Sequence, residues 1–429
     1  MPVAAAPTAF AVTAPAAAET WTTDSLHYVT WTAPAEIKAV TVEFSTDGAK
    51  TWAIVTNAAS GQPAAAVPSR ADGPNQLLWR VPATPGPVSL RVRRAEPAGS
   101  GEARIALRLA AAPADRAYRW EQVTLKAAFA GRDGAGAVVF KDRMWLLGGW
   151  NPGDKVHFPT ICNSEVWSSA DGKEWLLALL QAPWEGRHTA GYVVHQGRMW
   201  IVGGDANQRH YQNDVWHSAD GVQWARVHDA VPWGPRVLHH TVAHGGRIWV
   251  MGGQTLPQFG GALKEERFYN DVWSSADGRQ WERVLDRAPW SPRGMIGGAA
   301  VHQGRIWLLG GGTYDTPAQP KRQFFSEVWS TADGKDWTRH VEFAPWAPRQ
   351  YHDVAVFDGR LWVTQGYDGR GNRKDVWHST DGVIWYELPG TPWAPRHASS
   401  LFVHADALWV VAGNNMFPDV WRLAPTAPE

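Results

Sequence analysis

The chain contains a sequence unit that occurs six times, and four histidines lie at two positions of this unit. These histidines are candidates for a chemical role. His239 and His352 come three residues after an arginine of the unit, and His188 and His397 come one residue after it. An imidazole can transfer protons near neutral pH or bind a metal. Histidines in strands are also often core residues, so both interpretations stay open until the surrounding elements are known.

The unit combines glycine pairs with regularly spaced tryptophans. In its fullest form it contains an arginine, an alternating apolar stretch, Gly-Arg-(Ile/Leu/Met)-Trp, Gly-Gly, a variable loop, (Asp/Glu)-Val-Trp, Ser-Ala-Asp-Gly and a further Trp. Period-two apolarity predicts strands, and Asp-Gly favours hairpin turns. The Val-Trp pairs end at Trp167, Trp216, Trp273, Trp329, Trp377 and Trp421. This period of about fifty residues resembles the kelch repeat, whose units are four-stranded blades of a β-propeller.

The resemblance implies an all-β, six-bladed propeller over residues 118–423. The last unit ends just after Trp421 and lacks an outer strand, whereas the stretch Tyr118–Val123 resembles the outer strands of the other units. We therefore expect residues 118–125 to complete the last blade and remove a free sheet edge. The arginines are expected to begin the inner strands and, because they repeat in every unit, to pair blade with blade rather than bind a ligand.

The Asp-Gly turns are similar to the Asp-box of sialidases, where the motif is a hairpin decoration away from the active centre. That similarity implies a structural role for these aspartates, each bonding its own backbone. They are Asp171, Asp220, Asp277, Asp333 and Asp381.

Residues 9–112 show short alternating strands with proline and glycine between them, which predicts a β-sandwich. Sequence segments such as VEFSTDGAKTW and LLWRVPATP resemble those of the immunoglobulin-like module found in secreted microbial wall proteins. The resemblance implies an extracellular or periplasmic protein, although the first residues carry no export signal as written. Residues 113–117 are expected to form the linker.

Composition narrows the range of partners. Lys plus Arg and Asp plus Glu are both 41, so the net charge gives no support for a nucleic-acid partner. No run of 18 apolar residues exists, and membrane insertion is not expected. The single cysteine, Cys162, excludes an internal disulfide and an all-cysteine metal site.

The variable loops between the second and third strands should emerge on one face and carry the function. Trp150 opens the first loop and has no counterpart in the other units, so its ring could stack on a sugar. Basic residues outnumber acidic ones in these loops, which favours a glycan or small anionic ligand, although an ordinary solvated surface would look similar. The predicted ligand contacts are Trp150, His210, Tyr211, Arg267, Tyr314, Arg322 and Arg370.

Two enzyme families give alternatives to simple recognition. Six kelch blades are similar to bacterial sialic acid mutarotases, which implies a sugar isomerase, and a polysaccharide lyase is a further alternative. The order Cys162, Tyr211 or Tyr192, Tyr351-His352 and His397 resembles galactose-oxidase-like copper enzymes, which would assign copper to Tyr351, His352 and His397. The catalytic candidates are His239, His352, Tyr351, His397 and Cys162.

The oxidase resemblance has two departures. Those oxidases have seven blades, and their cysteine precedes the Gly-Gly strand, whereas Cys162 follows it. We therefore expect no cofactor or metal, with Cys162 a free thiol at the outer end of its loop, away from the propeller axis. Whether the protein is an enzyme stays open.

Overall fold

The computed structural model describes residues 9–71, 75–95, 101–111, 117–157, 160–205, 210–257, 265–294 and 298–426. The chain separates near residue 116 into two compact units, the first with nine strands in its described part. No helix in the described ranges is long and apolar enough to cross a membrane. The predicted all-β fold class is confirmed.

The first unit consists of two sheets that share one core. One sheet has the order β1-β3-β7, and the other has the order β2-β9-β8-β4-β5 with β6 paired to β4. Trp31 and Trp79 from the first sheet pack with Val40 and Leu90 from the second. The strands are β1 (Ala11–Ala14), β2 (Thr20–Thr22), β3 (Leu26–Thr32), β4 (Ala39–Ser45), β5 (Ala53–Ile54), β6 (Val67–Pro68), β7 (Asn75–Arg80), β8 (Gly86–Arg94) and β9 (Glu102–Ala110). The immunoglobulin-like assignment stays a prediction.

The described part of the second unit contains six four-stranded antiparallel sheets, numbered blades 1 to 6 in chain order. A first strand, β10 (Tyr118–Thr124), precedes them. Blade 1 has β11 (Gly136–Phe140), β12 (Arg143–Leu147), β13 (Val166–Ser169) and β14 (Leu176–Leu179). Blade 2 has β15 (Gly191–His195), β16 (Arg198–Asp205), β17 (Tyr211–Ser218) and β18 (Trp224–His228).

Blade 3 carries an additional short hairpin in its loop. It has β19 (His240–His244), β20 (Arg247–Met251), the hairpin β21 (Gln254–Thr255) and β22 (Arg267–Phe268), β23 (Val272–Ser275) and β24 (Glu282–Leu285). Blade 4 has β25 (Ala299–His302), β26 (Arg305–Thr313), β27 (Gln323–Thr331) and β28 (Trp337–Val341). Blade 5 has β29 (Asp353–Phe357), β30 (Arg360–Thr364), β31 (Val376–Ser379) and β32 (Tyr386–Leu388). Blade 6 has β33 (Ser400–His404), β34 (Ala407–Val411) and β35 (Val420–Pro425).

The innermost strands close a ring, and the two ends of the propeller meet in blade 6. Each innermost strand contacts the next, and β33 contacts β11. The outer position of blade 6 is filled by β10, which pairs antiparallel with β35. Trp120 of β10 packs edge-on against Trp393, with ring centroids 4.2 Å apart. Because β10 is the outermost strand of blade 6, β35 is paired on both sides, with β10 and with β34.

Each blade buries one arginine in a network of its own residues. In blade 5 Arg349 is fully buried, donates to the carbonyl of Gln365 at 2.7 Å and pairs with Asp375 at 2.7 Å. The indole Nε1 of Trp377 donates to the same carboxylate at 2.6 Å. Equivalent pairs in the other blades are Arg132–Glu165, Arg187–Asp214, Arg236–Asp271, Arg293–Glu327 and Arg396–Asp419.

This network corrects two expectations about the arginines. They pair within their own blade, not between blades. They also precede the innermost strand, which begins four residues later, as Arg187 does before Gly191. The reason is that the guanidinium must reach the carbonyl of the second strand and the carboxylate before the third, both of which lie at the loop end of the sheet.

Neighbouring blades are joined through tryptophans that pack on the Asp-Gly turns. A Cβ on Gly221 in blade 2 would lie 2.0 Å from the ring of Trp145 in blade 1, so only glycine fits there. The same contact joins Trp200 to Gly278, and Trp409 to Gly172 across the point of closure. Blade 6 lacks this turn, and Tyr118 of β10 instead packs edge-on against Trp362 at 5.1 Å. The turn aspartates accept backbone hydrogen bonds, as Asp220 does from Val222 and Gln223.

We predict that removal of β10 exposes the outer edge of β35 in blade 6. A chain that begins at residue 117 should be a folded monomer, whereas one that begins at residue 126 should aggregate, because β35 then presents an unpaired edge. Light scattering after size-exclusion chromatography distinguishes the two. The closure model is contradicted if the shorter chain stays monomeric with an unchanged melting temperature.

We further predict that Asp375→Asn costs about 3–5 kcal/mol of unfolding free energy, because it leaves the buried charge of Arg349 without its counter-ion. The matched control is Glu342→Gln, which breaks the exposed pair between Glu342 and Arg339. This control substitution should change the unfolding free energy by no more than about 0.5 kcal/mol. Urea denaturation of the three proteins measures both effects, and equal losses would rule out the proposed role of the buried pair.

Candidate functional site

A short backbone bridge in each blade builds the mouth of the central channel. The residue after the buried arginine pairs with the residue after the Gly-Gly position, as in His188 with Asp205 and Asp133 with Trp150. The His188–Asp205 bridge has N–O distances of 3.0 and 3.1 Å in its two directions. The other blades repeat the pairing with Val237–Gln254, Gly294–Gly312, Gln350–Tyr367 and His397–Asn414. Two residues per blade are thereby fixed at the mouth.

The residue that follows the bridge adopts a left-handed backbone conformation. Thr189, Leu238 and Tyr351 have φ values of 55°, 58° and 55°. This region is unfavourable for bulky and β-branched residues, and such strain is most often found at functional sites. The conformation turns the backbone where the chain enters the innermost strand, and all three residues line the mouth.

The mouth encloses a cavity of about 460 Å³ to which all six blades contribute. A volume of this size suits a small-molecule ligand. The lining combines aromatic rings with polar groups: Asp133, Trp150, His188, Thr189, Asp205, Tyr211, Val237, Leu238, Gln254, Tyr314, Arg322, Tyr351, Tyr367, His397, Ala398 and Asn414. We call this space the mouth cavity.

One wall of the mouth cavity is aromatic and carries a cation. The hydroxyl of Tyr351 contacts that of Tyr314, and the ring of Tyr351 stacks on His397 with centroids 4.9 Å apart. The guanidinium of Arg322 lies 4.3 Å from the centre of the Tyr314 ring and pairs with Asp315 at 2.8 Å. Burial raises the pKa of Tyr351 well above its usual range, so the phenol is neutral.

A second group of cavity residues, from blades 1 and 2, is acidic and forms what we call the acidic wall. Burial raises the pKa of the Asp133 carboxyl to about 7. Burial alone would lower the pKa of His188, but the Asp205 carboxylate, 3.1 Å from His188 Nδ1, holds that pKa well above its usual range. Behind these groups the sulfur of Cys162 lies 3.6 Å from the same nitrogen, and burial raises the pKa of the thiol.

The structure brings six of the predicted site residues together. Trp150, Tyr211, Tyr314 and Arg322 line the mouth cavity, together with the catalytic candidates Tyr351 and His397. Cys162 lies directly behind them, bridged to Trp150. The expectation that Cys162 lies away from the axis is wrong, because its loop returns along the mouth as an additional backbone pair.

Three predicted ligand contacts lie elsewhere. His210 is exposed and pairs with Glu185 at 2.8 Å. Arg267 is exposed beside Glu265 and lines a separate groove at blade 3. Arg370 is exposed in the loop of blade 5 and is not part of the mouth cavity lining. The same loops place Tyr211, Gln254 and Tyr367 in the cavity lining, so a position in a variable loop did not by itself indicate a position at the cavity.

His239 and His352 lie deeper than the mouth cavity and join blades. Nε2 of His239 donates to the carbonyl of Val202 at 3.1 Å, and Nε2 of His352 donates to that of Leu309 at 3.0 Å. Both are buried, and burial lowers the pKa of each to about 3. Neutral imidazoles in such positions are core residues that bond a carbonyl of the preceding blade.

The copper set of the oxidase alternative is not assembled. The ring of His352 is committed to Leu309 below the cavity, while the phenol of Tyr351 and the ring of His397 face the mouth. His397 Nδ1 also bonds Asn372 at 2.7 Å. Tyr351 and His352 are adjacent residues just before β29, yet the phenol lines the mouth cavity while the imidazole bonds the carbonyl of Leu309.

Sequence reasoning missed Asp133, Thr189, Asp205, Gln254, Tyr367 and Asn414 as cavity residues. The signal was present, because each lies one or two residues after the repeated arginine or directly after the Gly-Gly position. These are the places where the units differ most in chemistry. The third residue after the arginine also differs between units, but the structure places it below the mouth, as at His239 and His352.

A solved structure titled "Structure of YjhT" shares this fold. It has a TM-score of 0.53 and 15% sequence identity, over 70% of this chain and 95% of that chain. At this identity the likeness establishes the propeller fold alone. No family model and no curated protein sequence matches the chain. The kelch-like β-propeller is therefore supported by the sheets and by this likeness, and the site must be interpreted from its own geometry.

We predict that acid destabilises the propeller through its buried histidines. The folded pKa of His352 is about 3, below the ordinary value of 6.5, so its contribution to stability is complete above pH 6.5 and is lost as the pH falls toward 3. Between pH 7.5 and 5.0 that loss is about 2 kcal/mol for one such histidine. His352→Gln should remove about this amount from the difference in urea stability between the two pH values. An unchanged pH dependence would contradict the assignment.

Proposed function

We propose that the protein binds a carbohydrate in the mouth cavity, with one sugar ring held between its aromatic and acidic walls. The observation that carries the proposal is a group of polar side chains that line the cavity without a protein partner. Buried polar groups are normally hydrogen-bonded, and an unpaired one costs about 1–3 kcal/mol. Several in one cavity indicate that a polar ligand completes them.

Four unpaired groups point to a ligand with many hydroxyls. Trp150 Nε1 and Gln254 Nε2 are buried donors without an acceptor, and Thr189 Oγ1 can donate or accept. Within the described ranges the Asp133 carboxyl, which lines the cavity, makes no hydrogen bond or ion pair and interacts with His188 and Asp205 only through their charges. A sugar presents hydroxyl donors and acceptors in alternation around one ring, which matches this mixture better than a purely apolar or purely ionic ligand does.

The aromatic side chains suit the faces of the same ligand. Trp150 is half-buried at the mouth, and Tyr211, Tyr314 and Tyr367 surround the cavity. Aromatic rings pack on the apolar face of a sugar while its hydroxyls bond at the edges. Arg322 would meet an acidic substituent, because its guanidinium lines the cavity 4.3 Å from the centre of the Tyr314 ring and keeps donors besides the one that pairs with Asp315. A carboxylated sugar is therefore the preferred class.

Copper oxidation has no supporting geometry at the mouth cavity, as described above. Isomerase and lyase activities remain compatible with a bound sugar, and nothing in the cavity favours one of them over recognition alone. The function proposed is accordingly sugar binding.

We predict that Trp150→Ala weakens binding of the preferred glycan about tenfold or more, which corresponds to about 1.4 kcal/mol. Glycan-array screening followed by isothermal titration measures this loss. The matched control is Phe417→Ala, because Phe417 is an exposed aromatic in the corresponding loop of blade 6 and is not in the cavity lining. Trp184 is unsuitable as a control, since it is 1% exposed and its truncation would leave a cavity in the core.

A second variant separates binding from stability. Gln254→Met keeps the side-chain length and removes the unpaired Nε2. It also removes the long hydrogen bond, 3.4 Å, that Gln254 Oε1 accepts from the Tyr314 N–H, so the melting temperature should change little while affinity falls. Loss of binding together with loss of stability would indicate a packing role for Gln254. No glycan binding in the unmodified protein, with acidic and neutral sugars both tested, would reject the proposed function.

A further inference from the structure

A thiol, an imidazole and a carboxylate converge on one point beside the mouth cavity. Cys162 Sγ lies 3.6 Å from His188 Nδ1, and Asp205 Oδ1 lies 3.1 Å from the same nitrogen. One ligand atom of each residue lies within 4.8 Å of the others. Cys162 and Asp205 are buried and His188 is nearly so. These are three of the four residue types that hold zinc in proteins.

Hydrogen bonding alone does not account for this arrangement. His188 Nδ1 faces three groups at once, because the backbone carbonyl of Asp205 is also 3.2 Å away. A protonated nitrogen has one hydrogen to donate, and an unprotonated one has one lone pair. The Asp205 carbonyl already accepts from the backbone N–H of His188, so the thiol and the carboxylate compete for the nitrogen. One cation between the three side chains would instead bind the thiolate, the imidazole and the carboxylate together.

We propose that Cys162, His188 and Asp205 bind one divalent transition-metal ion, with zinc as the preferred ion. Tetrahedral zinc with a Zn–S bond of about 2.3 Å and a Zn–N bond of about 2.0–2.1 Å separates the two ligand atoms by about 3.6 Å. The observed separation of sulfur and nitrogen is 3.6 Å. Thiolate and imidazole ligands favour zinc over calcium and magnesium, which prefer oxygen. Binding releases two protons to solvent, the thiol proton of Cys162 and the Nδ1 proton of His188.

The backbone fixes these ligands before any ion arrives. Cys162 is bridged to Trp150, which is bridged in turn to Asp133. His188 and Asp205 are bridged directly to each other. Ligands carried by paired backbone segments keep their separation, and this preorganisation favours a metal site over a chance cluster.

The site has room for a fourth ligand on the cavity side. His188 and Asp205 both line the mouth cavity, and so does Asp133, whose side chain is buried. Three protein ligands and one open position are the arrangement of zinc sites that bind a water or a substrate oxygen. Asp133 is placed to accept a hydrogen bond from that fourth ligand. The metal site does not depend on the ligand proposed for the cavity, and the two proposals can fail separately.

The test uses the full chain, stripped with a chelator and then dialysed against zinc. We expect one zinc per chain by elemental analysis, and with cobalt as the probe an absorption band for thiolate-to-cobalt charge transfer. Cys162→Ser and Asp205→Asn should each weaken zinc binding by about 100-fold or more. Each removes a direct ligand, whereas loss of a group that only hydrogen-bonds a ligand already weakens metal binding by about 10–100-fold. The matched control is His210→Gln, which removes another carboxylate-paired histidine of blade 2 and should retain the metal.

The cobalt spectrum of the unmodified chain needs no variant, so a variant that fails to fold does not leave the question open. Absence of the thiolate band, or substoichiometric zinc in the unmodified chain, would overturn the site. Full zinc binding by folded Cys162→Ser would also overturn it. Zinc binding without glycan binding would support the metal site and reject the proposed function, and the opposite result would do the reverse.

Discussion

One buried arginine per blade sets the geometry on which the rest of the propeller depends. Removing a guanidinium from water is unfavourable unless charged and carbonyl acceptors surround it. In blade 2 Arg187 meets this need with the Gly203 carbonyl and the Asp214 carboxylate, and Trp216 donates to the same carboxylate. The arginine therefore ties together the start of the blade, the end of its second strand and the start of its third, all at the loop end of the sheet.

The same constraint leaves the neighbouring positions free for function. Because the arginine and the Gly-Gly carbonyl are fixed, the residues that follow them are held in a backbone bridge whatever their side chains. Blade 1 uses this bridge for Asp133 and Trp150, blade 2 for His188 and Asp205, and blade 3 for Val237 and Gln254. A repeated scaffold thus presents a different pair of side chains from each blade to one cavity.

The sequence alone predicted the strands of the blades, but it identified only some of the residues at the mouth cavity. Repeated patterns such as Asp-Gly and Val-Trp report local geometry, which is why the strands and the all-β class could be predicted. The cavity depends on a register that the pattern does not reveal: the innermost strand begins four residues after the arginine, so His239 falls in the interior while His188 falls at the mouth. The position of Cys162 depends on the path of a loop, for which no repeat exists.

Several residues at the mouth cavity lower the stability of the fold. The unpaired groups of Trp150 and Gln254 make folding less favourable. The left-handed backbone of Thr189 and Leu238 does so too, and it recurs at the same position of blades 5 and 6, at Tyr351 and Ala398. The blades compensate through fully buried arginine pairs and through tryptophans packed on glycine turns. At the mouth cavity the unpaired groups of Trp150 and Gln254 lie where a polar ligand would complete them, and the cluster of Cys162, His188 and Asp205 lies beside them.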